Sequence, residues 1–387
     1  MRIASALSSD PDTRAAAREA VDRSLDELGE RPNLVFAFHS PHHLGRVEEA
    51  AAEIIPSIGD AALLGCTTQA VIGDGREVEA GPALSVWAAA LPGVRIEPFS
   101  LTVEDGPDGP AVLGMPLLGE ESRAVILLGD PFSFPVQVLA RIDDERPELP
   151  VIGGMASGGM APGRHALISG TSVGDSGAVG VVLSGDLAVE TVVAQGCRPI
   201  GAPYVVTASE QNVIRELAGK PPLERLRSVL TALPPEDRAR AQQGLHVGLA
   251  IDEYKAELGQ GDFLIRNVIG GDPESGAIAV GDYVHVGQTV QFQVRDAEAA
   301  DQDLAAMLER RLASLRGTAA GALLFTCNGR GQRLFGTPDH DVQTVRSKLG
   351  HLPVAGMFCG GEVGPVGGRT FLHGFTASIA LFVESPA

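Results

Sequence analysis

The sequence predicts an α/β (α+β) protein of two related domains, with mixed β-sheets built from repeated β-turn-α-β units. Three observations carry that reading. The apolar runs LVFAF (34–38), AVILLGD (124–130) and ALLFTC (322–327) each lead through a polar, turn-forming segment into a helical pattern, GRVEEAAAEIIPSI, VQVLARIDDE and DVQTVRSKLG respectively. Each helix then feeds a second apolar strand that breaks into a glycine-rich turn: ALLGCTTQAVIGDG, LPVIGGMASGGMAPG (149–163) and LPVAGMFCGGEVGPVGG (352–368). The length, 387 residues, supports two domains that each bury a core. A weaker fourth copy running from LHVGLAI (245–251) to FLIRNVIGGD (263–272) would make two pairs of units, hence related halves 1–197 and 198–387, packed in an αββα sandwich-like arrangement.

Taken in order, the chain opens with SSDPDTRAAAREAVDRSLDELGERPN, an exposed amphipathic helix. Ser9 or Asp10 is its expected cap, Pro11 suits its first turn, and Val21, Leu25 and Leu28 form its apolar stripe. After the first glycine turn, ALSVWAAAL (83–91) and VRIEPFSLTV (94–103) read as antiparallel strands of one sheet, and EDGPDGPAVLG as a loop. HALISG and SGAVGVVLSG continue as strands beyond the second turn. The pattern changes around QGCRPIGAPYVVT (195–207), which places the domain boundary near residue 198. EQNVIRELAG and PLERLRSVLTAL read as helices, LHVGLAI, DFLIRNVIG, GAIAVG, YVHV and TVQFQVRD as strands, and DAEAADQDLAAMLERRLASLRG as a helix. RTFLHGF and TASIALFVE close the chain as strands.

The formal charge of −19, a pI of about 4.8 and only three lysines (Lys220, Lys255, Lys348) make a surface that repels phosphate backbones and anionic lipid, so neither nucleic acid nor membrane is an expected partner. The opening residues lack a signal-peptide core, and no apolar run approaches the length of a spanning helix. Cys66, Cys197, Cys327 and Cys359 form no CxxC pair, which argues for a reducing cytoplasm and against a structural zinc site.

The order of several motifs identifies a resemblance. LVFAFHSPHH, the LGCTTQ turn and VIGGMASGG, followed by VVTASEQNVIRELAGKPPLERL, FLIRNVIGGD, FTCNGRG, AGMFCGGEVGP and TFLHGFTAS, resemble the FIST family over essentially the whole chain, with a FIST N-terminal domain at 1–197 and a FIST C-terminal domain at 198–387. The resemblance implies a cytoplasmic small-ligand sensor, with amino acids as the proposed ligand class and no established catalytic activity. It also implies a signalling partner, here a separate protein because no output domain is visible. Eukaryotic members joined to an F-box leave a protein-interaction scaffold as one alternative, and self-association as a homo-oligomer is open.

The residues themselves suggest how such a ligand would be held. A glycine-rich turn after a strand directs several N–H groups one way and forms an anion nest. Arg330, in CNGRG, adds a planar fork for a carboxylate, and Glu362 a charge for an ammonium group. Together they match a zwitterionic amino acid or a small carboxylate held near the glycine-rich turns, the competing reading being that Arg330 and Glu362 pair with each other. The candidate ligand-binding set is therefore Cys66, Thr67 and Thr68 of the first turn, Gly154, Met155 and Ser157 of the second, Asn328, Arg330, Cys359, Gly360, Gly361 and Glu362 of the third, and His373 in FLHGFT.

Two other chemistries compete. Cys66 and Cys359 occupy matching places in their turns, and LGCTTQ resembles the cysteine turn of cofactor-independent racemases, which set two activated thiols on either side of a substrate carbon. The second turn carries Ala156 or Ser157 where a cysteine would stand. His39, His42 and His43 crowd one loop and, with a distant His373, are the imidazoles available to haem, a cofactor proposed within the FIST family, or to a metal; the residues themselves call for no cofactor. GGMASGGMAPG lacks the GK[ST] of a phosphate loop, and SGTSVGDSG lacks a nucleophile-elbow context.

Overall fold

The computed structural model describes residues 1–106 and 109–384. The chain is α/β with mixed sheets, and it divides into two compact units: residues 1–193, 304–372 and 376 onward form the first, and residues 194–303 with 373–375 the second. The chain leaves the first unit close to the expected boundary at 198 but returns to it at Leu304, so the spatial units are not the sequence halves.

All three repeats lie in the first unit. Strands Leu34–His39 and Ala62–Thr67 flank helix Val47–Ile58; Ser122–Gly129 and Val151–Met155 flank helix Gln137–Glu145; Thr318–Cys327 and Val354–Cys359 flank helix His340–Leu349. Within each repeat the two strands pair in parallel. The first strand of each also pairs antiparallel with a later one, Leu84–Ala90, Ala178–Gly185 or Thr376–Glu384.

Beyond its second strand, each sheet is completed by a hairpin that another repeat supplies. The hairpin after the first repeat, Val71–Gly73 with Arg76–Val78, joins the sheet of the third through Gly356↔Ile72. The hairpin after the third, Glu362–Val366 with Arg369–His373, joins the sheet of the second through Gly154↔Glu362. The hairpin after the second, Leu167–Ser169 with Ser172–Gly174, joins the sheet of the first through Leu167↔Cys66. Every repeat gives one hairpin and receives another, in a closed cycle.

Three glycines mark equivalent positions in this cycle. A Cβ on Gly65, Gly153 or Gly356 would lie 2.2, 1.7 or 1.8 Å from the carbonyl oxygen of Ala37, Leu127 or Leu324, in each case its registered partner on the parallel neighbour. Backbone approaches backbone too closely there for any side chain.

Strand alternation sorts the apolar residues. Phe36, Phe38, Leu64, Trp87, Ile126, Leu128, Ile152, Phe325, Met357 and Phe382 turn inward from all three sheets into one core, where the Trp87 ring lies 4.8 Å from Phe382 and 6.0 Å from Phe36. The alternate residues, such as Val35 and Ala37 or Val125 and Leu127, face the helices outside.

Several elements differ from the sequence reading. A buried strand, Arg2–Ser8, precedes the first helix, which spans Thr13–Leu28 and is capped by Asp12, whose carboxylate accepts from Ala15 N at 2.9 Å. The helix buries a row of small residues, Ala16, Ala17 and Ala20, against its sheet instead of lying exposed. Leu84–Ala90 and Val94–Gly106 belong to different sheets, and the segment read as a loop continues that second strand and returns as Gly109–Leu113, residues 107 and 108 lying outside the described residues. EQNVIRELAG is not helical: Val213–Leu217 is a strand, since its β-branched Val213 and Ile214 find partners in Ala279 and Ile278. YVHV forms no strand, and PPEDRARAQQ supplies an unexpected helix, Pro235–Gln243.

The second unit is a closed barrel in the order Cys197–Glu210, Val213–Leu217, Ile278–Val280, Phe263–Gly271, Leu245–Ala250, Thr289–Arg295. Ile200, Val206, Val247, Leu249, Phe292 and Val294 belong to its core. The expected fourth repeat is absent from it: Leu245–Ala250 and Phe263–Gly271 are antiparallel neighbours, and the twelve residues between them form bends and turns, not a crossover helix. The barrel is therefore not a second copy of the first unit, and neither unit is a plain αββα sandwich. Among the described residues, no helix is long and apolar enough to cross a membrane.

Because the Gly356 site leaves no room between backbones, Gly356→Ala should destabilise the protein by about 1–3 kcal/mol or more in urea unfolding, and Gly65→Ala and Gly153→Ala likewise. Gly45→Ala, where an added Cβ meets nothing within 4 Å, is the control and should leave the midpoint nearly unmoved.

Candidate functional site

The glycine turns meet one another. The carbonyl oxygen of Phe358 accepts hydroxyls from Thr68 (2.6 Å) and Ser157 (2.5 Å), and Ser157 Oγ accepts from Gln69 N at 2.8 Å. Ser157 N donates to Thr67 O, Phe358 N to Ala70 O, Met155 N to Gly361 O and Gly360 N to Met155 O, at 2.8 to 3.1 Å. Thr67 Oγ1 accepts from Ala166 N at 2.9 Å. These amides are consumed by neighbouring turns, so Thr67, Thr68, Met155, Ser157, Gly360 and Gly361 tie the repeats together instead of forming the expected anion nest.

The two cysteines come near each other, but not as equivalents. Counting from the matched glycines, Cys66 corresponds to Gly154 and Met357, while Cys359 corresponds to Thr68 and Ala156. Cys66 Sγ lies 3.2 Å from Met357 Sδ, and Cys359 Sγ sits where a Cβ on Gly154 would be, 2.3 Å away. Burial pushes both thiols up, Cys359 further through the neighbouring Glu362, so neither is a thiolate at neutral pH.

Arg330 and Glu362 do not pair with each other. Arg330, fully buried, spends its fork on Asp341, Nε to Oδ2 at 2.6 Å and Nη2 to Oδ1 at 2.8 Å, and its guanidinium carbon lies 5.1 Å from the Phe335 ring centre. Asp341, at the first turn of helix His340–Leu349, also accepts from Thr326 Oγ1 at 2.5 Å and contacts His340 Nδ1 at 3.0 Å. Burial alone would raise the Asp341 carboxyl, but Arg330 outweighs it and holds the group well below the usual carboxylate range.

The exchanged hairpin brings two more acids to this pair. Glu77 accepts Val342 N on Oε1 at 2.8 Å, and Glu79 accepts Gln332 N at 2.7 Å. Burial, then the Asp341 charge, pushes Glu77 up to about 8. Glu362 arrives from the next hairpin; its Oε2 accepts Thr376 N and Oγ1 at 3.1 and 2.8 Å, and burial raises it to about 8 against the opposing pull of Thr376 and Arg330. At neutral pH it is mostly the neutral acid, not the ready anion the sequence suggests.

Four polar atoms of this group are buried without a hydrogen-bond partner: Arg330 Nη1, Glu77 Oε2, Glu362 Oε1 and Asn328 Oδ1. Buried polar atoms are nearly always paired in folded proteins, so this concentration marks the place where the chain leaves capacity for something else. Sequence reasoning found Asn328, Arg330 and Glu362 but missed Asp341 and Glu77, which reach the site from a helix and from another repeat's hairpin.

The first three histidines lie near one another, but not as a metal set. His39 is buried, with neither nitrogen in hydrogen-bond geometry, and burial, then His43, lowers it to about 3. His43 meets Thr13 Oγ1 at 2.9 Å, His42 meets Pro11 O at 3.1 Å, and their rings lie 5.1 Å apart. No group of three or more His, Cys, Asp or Glu among the described residues is placed to hold a metal ion. His373 groups with the barrel unit and Arg330 with the first unit. A buried dyad the sequence did not suggest, His165 with Asp130 at 2.9 Å, is closed by Gly159 N on Nε2 and by Phe132 N and Ser133 Oγ on Asp130 Oδ2.

The model of the FIST N domain matches residues 33–220 and that of the FIST C domain residues 222–365. An uncharacterised protein of Mycobacterium bovis is 45% identical over 388 residues, covering 99% of each chain. Another, from Mycobacterium tuberculosis, is 45% identical over 386 residues, covering 99% of this chain and all of its own.

The raised carboxyls set a sign for stability. Each is protonated in the fold but ionised in the unfolded chain between about pH 4.5 and 8, so each contributes stability present below pH 4.5 and lost as pH rises through 8. Unfolding free energy from urea titrations should therefore fall toward pH 8, by up to about 1.4 kcal/mol per unit per group, and Glu77→Gln with Glu362→Gln should flatten the slope. Asp341→Asn, which strands the Arg330 charge, should cost about 3–5 kcal/mol.

Proposed function

The chain belongs to the FIST family, which is associated with sensory signalling, and from that premise we propose that it is a sensor whose first unit binds a small amino-acid-like ligand at the Arg330 site. The observation that carries this is the set of unpartnered buried atoms around the Arg330–Asp341 pair. A primary ammonium has three N–H donors, and Glu77 Oε2, Glu362 Oε1 and Asn328 Oδ1 are three acceptors. Arg330 Nη1 is the one donor left for the ligand's carboxylate. Since Asp341 already neutralises Arg330, the pocket selects first for the amine.

Binding a cation requires Glu77 or Glu362 to give up its proton. Affinity then rises with pH up to about 8 and levels above it, by up to about tenfold per unit for each carboxyl that ionises. The signal passes to a separate protein in the cytoplasm.

A thiol racemase is the less supported reading, because both thiols are buried and protonated. A cation over one carboxyl needs no thiol at all.

Titration calorimetry with the common amino acids at pH 6, 7 and 8, in two buffers of different ionisation enthalpy, should find a ligand whose binding releases protons and strengthens with pH. Glu362→Gln should weaken it by at least about tenfold, as expected for a lost charge-assisted hydrogen bond. The double variant Cys66→Ser, Cys359→Ser should keep the affinity; turnover of one enantiomer into the other that disappears in either single variant would overturn the sensor reading.

A further inference from the structure

The barrel unit holds a second concentration of unpaired polar atoms, on the face of its strands turned away from the barrel core. In Leu245–Ala250 and Thr289–Arg295, the residues Val247, Leu249, Val290, Phe292 and Val294 belong to the core, so the alternate residues His246, Gln291, Gln293 and Arg295 look outward. An outward polar row is ordinarily wet. Here His246 is 5% exposed and Gln293 1%.

The row is continuous across three strands. His246 registers with Asn267 on one side and with Gln293 on the other. Asn267 stands beside the imidazole, but neither His246 nitrogen reaches hydrogen-bond geometry with any partner, and Gln293 Nε2 has none. Gln291, one pair along, is held in place by Gly201 O, which accepts its Nε2 at 2.5 Å. Gly248 makes room for the Gln293 amide: a Cβ there would stand 2.7 Å from Gln293 Nε2.

An aromatic ring roofs the row. Phe375 lies 4.3 Å from the His246 ring, tilted by 43°, and the Arg295 guanidinium carbon is 5.2 Å from the centre of the same phenyl ring. Phe375 adopts φ +61, a left-handed conformation unfavourable for a bulky side chain, so the chain tolerates local strain to put that ring there. Burial, then the Arg295 charge, keeps His246 neutral at pH 7, with one donor and one acceptor nitrogen.

We propose that this row is a second ligand site, for a small carboxylate held between the Gln293 amide, the His246 ring and the Arg295 charge, with its apolar end against Phe375. The chemistry follows from the donors. Gln293 Nε2 and one His246 nitrogen present N–H groups, and the nearby cation is a guanidinium, so the complementary group is an anion with two acceptor oxygens. The remaining His246 nitrogen accepts, which favours a carboxylate bearing a hydroxyl. The site is independent of the Arg330 site: all its residues lie in the barrel unit, and it takes the opposite charge.

The experiment is a titration of the full chain, labelled at the histidine Cε1 carbons, with sodium lactate and sodium acetate, sodium chloride serving as the ionic-strength control. The His246 resonance, assigned by its loss in His246→Gln, should shift saturably with lactate, less tightly with acetate, and not with chloride. Gln293→Leu should weaken lactate by about tenfold, the size of one lost hydrogen bond to a charged group. Glu362→Gln should leave the lactate titration unchanged, which separates this site from the amine site. A His246 resonance that does not move, or moves equally with chloride, overturns the proposal, as does a lactate affinity unaffected in a folded Gln293→Leu or Arg295→Gln.

Discussion

Buried backbone amides must be paired, and in the first unit the turns that end the second strand of each repeat pair several of theirs with one another, Ser157 N with Thr67 O, Met155 N with Gly361 O and Gly360 N with Met155 O. The carbonyl oxygen of Phe358, taking hydroxyls from Thr68 and Ser157, is where all three turns meet. No repeat could close this junction alone. The hairpins that leave the junction cross to neighbouring sheets, and so the three repeats form one cooperative body despite their similar patterns. The three crowded glycines, Gly65, Gly153 and Gly356, keep each parallel pair close enough for the turns to reach.

The same exchange builds the candidate site. Arg330 is drawn inside by Asp341 and would be a costly buried charge without it. Glu77 and Glu362 come from hairpins that start in different repeats, and both are held as neutral acids by burial beside that pair. Together they are two buried carboxyls that carry no charge at neutral pH and ionise only as pH rises toward 8.

Much of this was legible in the sequence, and the limits are instructive. Apolar runs, helical periodicity and glycine turns located all three repeats, because these are local signals. The destination of each hairpin was not legible, since Val71–Gly73 has the same pattern whichever sheet edge it joins. Nothing local in the sequence marks Asp341, and only the fold brings it to Arg330. Cys66 and Cys359 looked equivalent by distance from the turn, whereas the strand register sets them two residues apart. In the barrel, strands such as Leu245–Ala250 showed clear alternation, but nothing in a short apolar strand distinguishes a parallel from an antiparallel neighbour, so a fourth repeat was read where a barrel closes.

The cyclic hairpin exchange also bears on how the chain is made. Val71–Gly73 leaves the ribosome about 280 residues before its sheet partner Val354–Cys359. That edge stays uncovered until those residues are translated, and the intervening chain includes all six barrel strands. Pairings of such long sequence separation form slowly, and unpaired strand edges are sticky while they wait. A nascent chain of this protein thus carries an open strand edge for as long as it takes to make the barrel and the third repeat.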